Sequence, residues 1–370
     1  MSQTDTSAYL LLEDGTFFTG KSFGAKGTSG GELCFNTGMT GYQEVFTDPS
    51  YSGQVLIMNN AYIGNYGVKK EDVESDTVKI NALICKNITD RYSRMMATND
   101  LETYLSENKI VAIHDVDTRS LVQHIRNKGA MNCIVSTEIT DKAALQKELE
   151  KIPDMKGLNL AEKVSTKEAY TIGKENARYR VSVMDFGVKR SMLRIMSEKD
   201  IYLKVFPANS RFEDLMEFNP DGIFISNGPG DPAAMDEAVT LVRKILEAEK
   251  PMFGICLGHQ LLARANGIAT YKMHHGHRGL NHPVKNLRSG KSEITTQNHG
   301  FGVDVESAKK SEKIEITHIN LNDGSIEGLR MKNKPAFAVQ YHPESTPGTH
   351  DSRYLFDEFI ELMASAKKSS

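Results

Sequence analysis

Apolar and polar positions follow two different rhythms along this chain. From Ser7 to about Ser136, short apolar runs recur between turn residues, as in "GYQEVFTDPSYSGQVLIMNN", "AYIGNYGV", "KINALICKN" and "KIVAIHDVD". Such runs, too short for helices and bounded by Gly, Asn, Asp and Pro, predict strands. One segment, "RSLVQHIRNKG", has helical spacing and follows Asp117-Thr118, a suitable helix cap. Residues 1–150 are therefore expected to form a strand-rich amino-terminal domain, with the amphipathic stretch "DKAALQKELEKI" after about Thr137 leading out of it. Residues 151–178, polar and weakly periodic, read as a connector.

From residue 179 the rhythm changes. "RVSVMDFG", "IYLKVFPA", "GIFIS" and "PMFGI" are buried-strand runs, separated by the helical patterns "VKRSMLRIMSEK", "RFEDLMEF" and "MDEAVTLVRKILEAEK". Strands alternating with helices specify a mostly parallel sheet with helices on both faces, over residues 179–370. The fold class is α/β in two domains. Open sheets of this kind bind ligands at the carboxyl ends of their strands, so those ends are where chemistry is sought.

One motif competes for attention before them. "GTFFTGKS", Gly15 to Ser22, fits the phosphate-loop pattern G-x-x-x-x-G-K-[ST] at every position. The pattern works only between a strand and a helix whose first turn faces the phosphates. Here the preceding "AYLLLEDG" ends in Asp14-Gly15, a hairpin signal, and the glycine-rich "FGAKGTSGGELCF" after it has no helical period. A β-hairpin is expected, with no nucleotide on it.

Composition narrows the class. The 45 basic and 48 acidic residues nearly balance, without a basic face for nucleic acid or an anionic membrane. No stretch resembles a membrane span and the first residues lack a secretory pattern, so a cytoplasmic protein is expected. The cysteines, Cys34, Cys85, Cys133 and Cys256, form no C-x-x-C pair. The first three sit in strand-like settings as small core residues.

Cys256 is different. In "FGICLGHQLL" it stands where the strand "PMFGI" stops and a helix from Leu257 begins, and G-x-C-x-G repeats, with Cys for Ser, the sharp turn that lifts a hydrolase nucleophile out of its sheet. A helix amino end favours thiolate. Late in the chain "KPAFAVQYHPES" ends a strand-like run at His342, with Glu344 two positions on, a base and a carboxylate to orient it. A third strand end, "GIFISNGPGDP", supplies Gly228 and Gly230 around Pro229, where a backbone N–H lies ready for an oxyanion. "TTQNHGFGVD", with Asn298, His299, Gly300 and Phe301, reads as a turn suited to a small polar ligand. A free-standing cysteine hydrolase or peptidase would use the same parts. Four imidazoles, His274, His275, His277 and His282 in "MHHGHRGLNH", raise a metal site. They lie in a glycine-containing loop with no Cys, Asp or Glu among them, so no metal is expected.

Together "GICLGHQ", "SNGPGDP" and "HPE" resemble the motifs of the triad glutamine amidotransferases, which hydrolyse the side-chain amide of glutamine with Cys, His and Glu in this chain order. "FNTGMTGYQEVFTDPSYSGQ", "YIGNYGV", "DTRSL", "GLNHPV", "QNHGFGVD" and "PGTHDSRYLFDEFIEL" are similar to the family of small, glutaminase subunits of carbamoyl phosphate synthetase, over nearly the whole chain. The resemblance implies Cys256 as nucleophile, His342 as general base and then acid, Glu344 as its orienting carboxylate, and the N–H groups of Leu257 and Gly228 as oxyanion hole. It implies that Ser50, Gly230, Gln260, Asn298, Gly300 and Phe301 hold L-glutamine. It also implies a large-subunit partner that receives the ammonia and binds ATP and Mg²⁺, this chain needing no cofactor itself. One departure stands at Leu280, where the family carries a small residue.

Overall fold

The computed structural model describes residues 6–369, among which seven strands close a barrel and ten form one mixed sheet. The chain divides between Met155 and Lys156 into two compact units.

In the first unit the strands are β1 (Ser7–Leu12), β2 (Phe17–Gly24), β3 (Thr28–Asn36), β4 (Gln54–Met58), β5 (Ala82–Cys85), β6 (Val111–His114) and β7 (Asn132–Ser136), closed in the order β1-β2-β6-β5-β4-β3-β7. Closure leaves no unpaired edge. Leu10, Leu12, Leu33, Val55, Ile57 and Ile113 fill its interior. The helix Thr118–Lys128 starts where the cap was expected, Asp117 accepting the Ser120 N–H at 3.0 Å. "YQEVF", inside a run read as strand, is instead a helix, Tyr42–Thr47: Tyr42, Val45 and Phe46 fall on one helical face and are buried together. The helix Lys142–Leu149 packs Leu145 and Leu149 on Leu11 and Ile134.

"GTFFTGKS" is the turn and second strand of the β1–β2 hairpin, and the element after it is β3, not a helix. Gly15 turns the chain at φ +84°. Gly20 answers to packing: a Cβ there would lie 2.5 Å from the His114 carbonyl oxygen on the neighbouring strand β6.

In the second unit the strands are β8 (Tyr170–Ile172), β9 (Tyr179–Met184), β10 (Ile201–Phe206), β11 (Gly222–Ile225), β12 (Met252–Ile255), β13 (Thr270–Asn286), β14 (Ser292–Val303), β15 (Ile314–Asn320), β16 (Ile326–Met331) and β17 (Ala336–Val339). Their order is β14-β13-β15-β16-β17-β12-β11-β9-β10-β8. The centre, β10-β9-β11-β12-β17, is parallel, and antiparallel pairs extend it on both sides. The central strands are unbroken apolar runs because both faces are covered. Ile223 and Ile225 meet the helices Asp236–Glu247 and Leu257–Ala265 on one face. Phe224, Phe253 and Phe337 meet Arg190–Glu198 and Tyr354–Ser369 on the other.

Two stretches read as loop or turn are strand. "HHGHRGLNH" and "QNHGFGV" lie in β13 and β14, a long antiparallel ribbon. Register shifts between Lys272 and His277 and between Gly279 and His282 break the two-residue alternation and hide it from the sequence. Leu280 falls in the second shift and is half-buried there, so the larger side chain is accommodated. The connector is not structureless: it contains the short helix Ala161–Val164 and β8, which pairs with β10. Among the described residues no helix is long and apolar enough to cross a membrane.

Candidate functional site

β12 delivers Cys256 at the carboxyl edge of the parallel strands, its N–H bonded to the Val339 carbonyl at 2.8 Å. The chain then reverses into the helix Leu257–Ala265. Cys256 makes that reversal at φ 55°, ψ −100°, a conformation an L-residue adopts only under constraint. The flanking glycines supply the constraint. A Cβ on Gly254 would sit 2.9 Å from the Gly258 backbone, and one on Gly258 would sit 2.4 Å from the Ile225 carbonyl oxygen. Helix and strand thus approach at backbone contact, and the thiol is left at the helix amino end, where first-turn N–H groups have no intrahelical acceptor. The thiol lies 3.7 Å from the Asn298 carbonyl oxygen and is buried.

His342 follows β17, its N–H bonded to the Thr296 carbonyl at 2.9 Å. Nδ1 is 2.9 Å from Glu344 Oε1, while the buried Nε2 makes no hydrogen bond of normal geometry. Burial alone would push the imidazole down. The Glu344 charge and the Cys256 sulfur overturn that and raise it well above its ordinary range. Burial likewise works against the Glu344 carboxylate, but Lys189 and then His342 hold it down to about 2.

Lys189 is the residue the motifs did not disclose. Its Nζ lies 2.8 Å from Glu344 Oε1 and 2.9 Å from the Thr346 carbonyl, with 3% of the side chain exposed against 0% for Glu344. Its only trace in the sequence is position: it follows "MDFGV" at the carboxyl end of β9, on the same rim as Cys256. Lys189→Met is expected to destabilise the protein by about 3 kcal/mol, because it removes one member of a buried pair and leaves a charged carboxylate behind. Chemical denaturation of the two proteins checks this, and an unchanged midpoint refutes it.

The other candidates fall in three places. Gly228 lies against the start of the Cys256 helix: a Cβ on it would sit 2.1 Å from the Phe186 carbonyl oxygen and 3.0 Å from Leu257 Cδ2. Gln260, one helical turn beyond Cys256, donates Nε2 to the Phe301 carbonyl at 2.9 Å and to Gln340 at 3.0 Å, tying the helix to the β14 segment that carries Asn298, Gly300 and Phe301. Ser50 belongs to the first unit, buried in the turn Pro49–Tyr51, with its N–H donated to Asp48 Oδ1 at 2.9 Å.

The histidine-rich stretch is not without carboxylates once folded. β16 and the turn before it bring Glu327 and Asp323 to His277, whose Nε2 is 2.8 Å from Asp323 Oδ2. Ligand-type atoms of His277, His299 and Glu327 all lie within 4.8 Å of one another. Hydrogen bonds occupy much of this cluster: Gln297 and Asn320 each donate to a Glu327 oxygen, and His299 lies between Gln297 Oε1 and the Phe301 carbonyl.

The family model for glutamine amidotransferase class-I matches residues 182–362, and that for the carbamoyl-phosphate synthase small chain, CPSase domain, matches residues 10–135. The carbamoyl phosphate synthase small chain of Aquifex aeolicus is 47% identical over 368 residues, 96% of this chain and 98% of that protein. That of Escherichia coli is 45% identical over 380 residues, 98% of this chain and 99% of that protein. A solved glutamine amidotransferase from Thermotoga maritima overlaps 51% of this chain and 85% of its own, with a TM-score of 0.37 at 18% identity. With both halves matched in order and nearly half of all positions shared over its length, the chain belongs to the carbamoyl phosphate synthase small chain family and carries a class-I glutamine amidotransferase domain.

Proposed function

We propose that this chain hydrolyses L-glutamine to glutamate and ammonia with Cys256, His342 and Glu344, and hands the ammonia to a large-chain partner that makes carbamoyl phosphate. The observation that carries the reading is the buried array of Cys256, His342 and Glu344 at the rim of the parallel strands. A raised imidazole holds its proton at neutral pH, and the helix amino end at Cys256 favours a thiolate as the attacking form beside that imidazolium. The sulfur adds to the amide carbon, and the oxyanion so formed is met by the Leu257 and Gly228 N–H groups. As the C–N bond breaks, His342 gives its proton to the departing ammonia, leaving a glutamyl thioester. Water then adds to the thioester with loss of a proton to His342, and the C–S bond breaks to restore thiolate and imidazolium. Acid comes before base here because of where the proton starts.

Ser50, Gly230, Gln260, Asn298, Gly300 and Phe301 are assigned to glutamine. Free ammonia in neutral water is mostly ammonium and no longer a nucleophile, which favours transfer to the partner without release. ATP and Mg²⁺ belong to that partner in this reading, bicarbonate is its other substrate, and the work is done in the cytoplasm.

A glutamine analogue bearing a diazoketone in place of the amide tests it. Incubated with the full chain, it is expected to alkylate Cys256 once per chain, as read by peptide mass spectrometry, and glutamine is expected to protect. Label on another residue, or no protection, overturns the assignment.

A further inference from the structure

The connector after Met155 grips the loop that carries Gly228. Asp231 ends that loop, with 4% of its surface exposed. One carboxylate oxygen accepts the N–H of Ala233 within its own turn at 2.8 Å, and the other accepts the N–H of Gly157 in the connector at 2.9 Å. The backbone joins in: the Asp231 N–H is bonded to the Leu158 carbonyl at 2.8 Å, and Gly230 bridges to Asn159 in antiparallel fashion. Gly230 leaves no room for a side chain, since a Cβ would lie 2.7 Å from the Leu158 carbonyl oxygen and 2.9 Å from the Leu160 nitrogen. On its other side the loop rests on Phe186, against which a Gly228 Cβ would collide. Residues 228–231 are therefore held between the strand-end loop at Phe186 and the connector.

The same device recurs one strand away. Asp185, at the end of β9, accepts the N–H groups of Gly187 and Val188 with one oxygen, at 2.9 and 2.8 Å, and the connector's Thr166 N–H with the other, at 2.7 Å. That loop leads directly into Lys189. Two buried aspartates thus divide their oxygens between a loop of the site and the same connector.

We infer that the connector is a working part of the glutaminase site, and that Asp231 is a positioning residue that fixes the direction of the Gly228 N–H toward the oxyanion. The inference rests on the glutaminase reading above and goes beyond it by naming what holds the donor in place. An oxyanion donor must already point at the charge before that charge forms, and losing one costs about 10²–10³ in rate. Backbone flanked by glycine on each side of Pro229 cannot hold that direction by its own preferences. The connector supplies the missing restraint.

The test compares Asp231→Ala and Asp231→Asn with the parent full chain. Asp231→Ala is expected to lower kcat for glutamine about 10²-fold with little change in KM, and to weaken inhibition by glutamate γ-semialdehyde, whose adduct with the thiol is tetrahedral, by a similar factor. Alkylation of Cys256 by iodoacetamide, which forms no oxyanion, is expected to keep its rate. Asp231→Asn keeps an acceptor oxygen for one of the two N–H groups and is expected to fall between. An unchanged kcat in Asp231→Ala overturns the inference, as does a parallel loss of alkylation, which signals general collapse of the site. Cys256→Ser separates the two readings: if it still hydrolyses glutamine, the glutaminase reading itself fails, whatever Asp231 does.

Discussion

Cys256→Ser is expected to abolish glutamine-driven carbamoyl phosphate synthesis by the complex with the large chain, a loss of about 10⁴-fold or more, while the ammonia-driven reaction continues unchanged. Losses of that size are typical when a nucleophile acting in concert with its base is removed. The state of His342 makes the substitution severe. A serine hydroxyl must give up its proton to a base as it attacks, and the Glu344 charge biases His342 toward its protonated form, which makes it a poor acceptor. In the proposed mechanism a thiolate at the helix amino end escapes this requirement, since it has no proton to give up. The exchange of sulfur for oxygen is nearly isosteric at a residue whose backbone is fixed by Gly254 and Gly258, so the fold and the partner's own chemistry are expected to persist. Nitrogen-donor assays with glutamine and with ammonium chloride on one preparation decide the matter. Retained glutamine activity would remove Cys256 from the mechanism, and loss of both activities would mean that the substitution acts through the structure.

What the sequence disclosed of this site, and what it withheld, depends on how each part is held. β9, β11, β12 and β17 are buried on both faces, so each appears as an apolar run, and the residues at their carboxyl ends stand out by being polar. Cys256 and His342 were legible for that reason, and Gly254 and Gly258 marked the sharp turn at the cysteine. Lys189 was not, because a single lysine ahead of an amphipathic helix has the same appearance whether it points to water or to a buried carboxylate. Only the 2.8 Å contact with Glu344 distinguishes the two.

The β13–β14 ribbon was hidden by its own irregularity, two register shifts and several glycines erasing the alternation that announces a strand. The grip of the connector on Gly230 and Asp231 was hidden for another reason. Part of it runs between backbone atoms, such as the Asp231 N–H and the Leu158 carbonyl, and those carry no residue code. The "GTFFTGKS" stretch shows the converse, a full match in letters whose Gly20 serves a crowded contact between two paired barrel strands. Side-chain chemistry at strand ends is written in the sequence; the backbone contacts that aim it are not.

His342→Asn is expected to reduce glutamine hydrolysis by about 10³–10⁴-fold, again sparing the ammonia-driven reaction, since in the proposed mechanism it withdraws both the acid that releases ammonia and the base that admits water. It also carries a signature in stability that a purely structural defect would not reproduce. The imidazole is raised in the folded protein above its ordinary value of 6.5, so its protonation stabilises the fold. That contribution is complete below pH 6.5 and is lost as pH climbs through the raised value. The gap in unfolding free energy between the parent and His342→Asn should therefore be widest at and below neutral pH and narrow on the alkaline side. Glu344 obeys the opposite sign. Its depressed value favours the fold above the ordinary carboxylate range, and the benefit is lost as pH falls toward about 2. Because Lys189 remains beside Glu344 in the variant, the acid limb should survive the substitution while the alkaline limb flattens. Urea unfolding across the pH range measures both limbs. A gap that widens with rising pH would show that His342 rests neutral in the folded protein, and the order of proton transfers proposed here would have to be reversed.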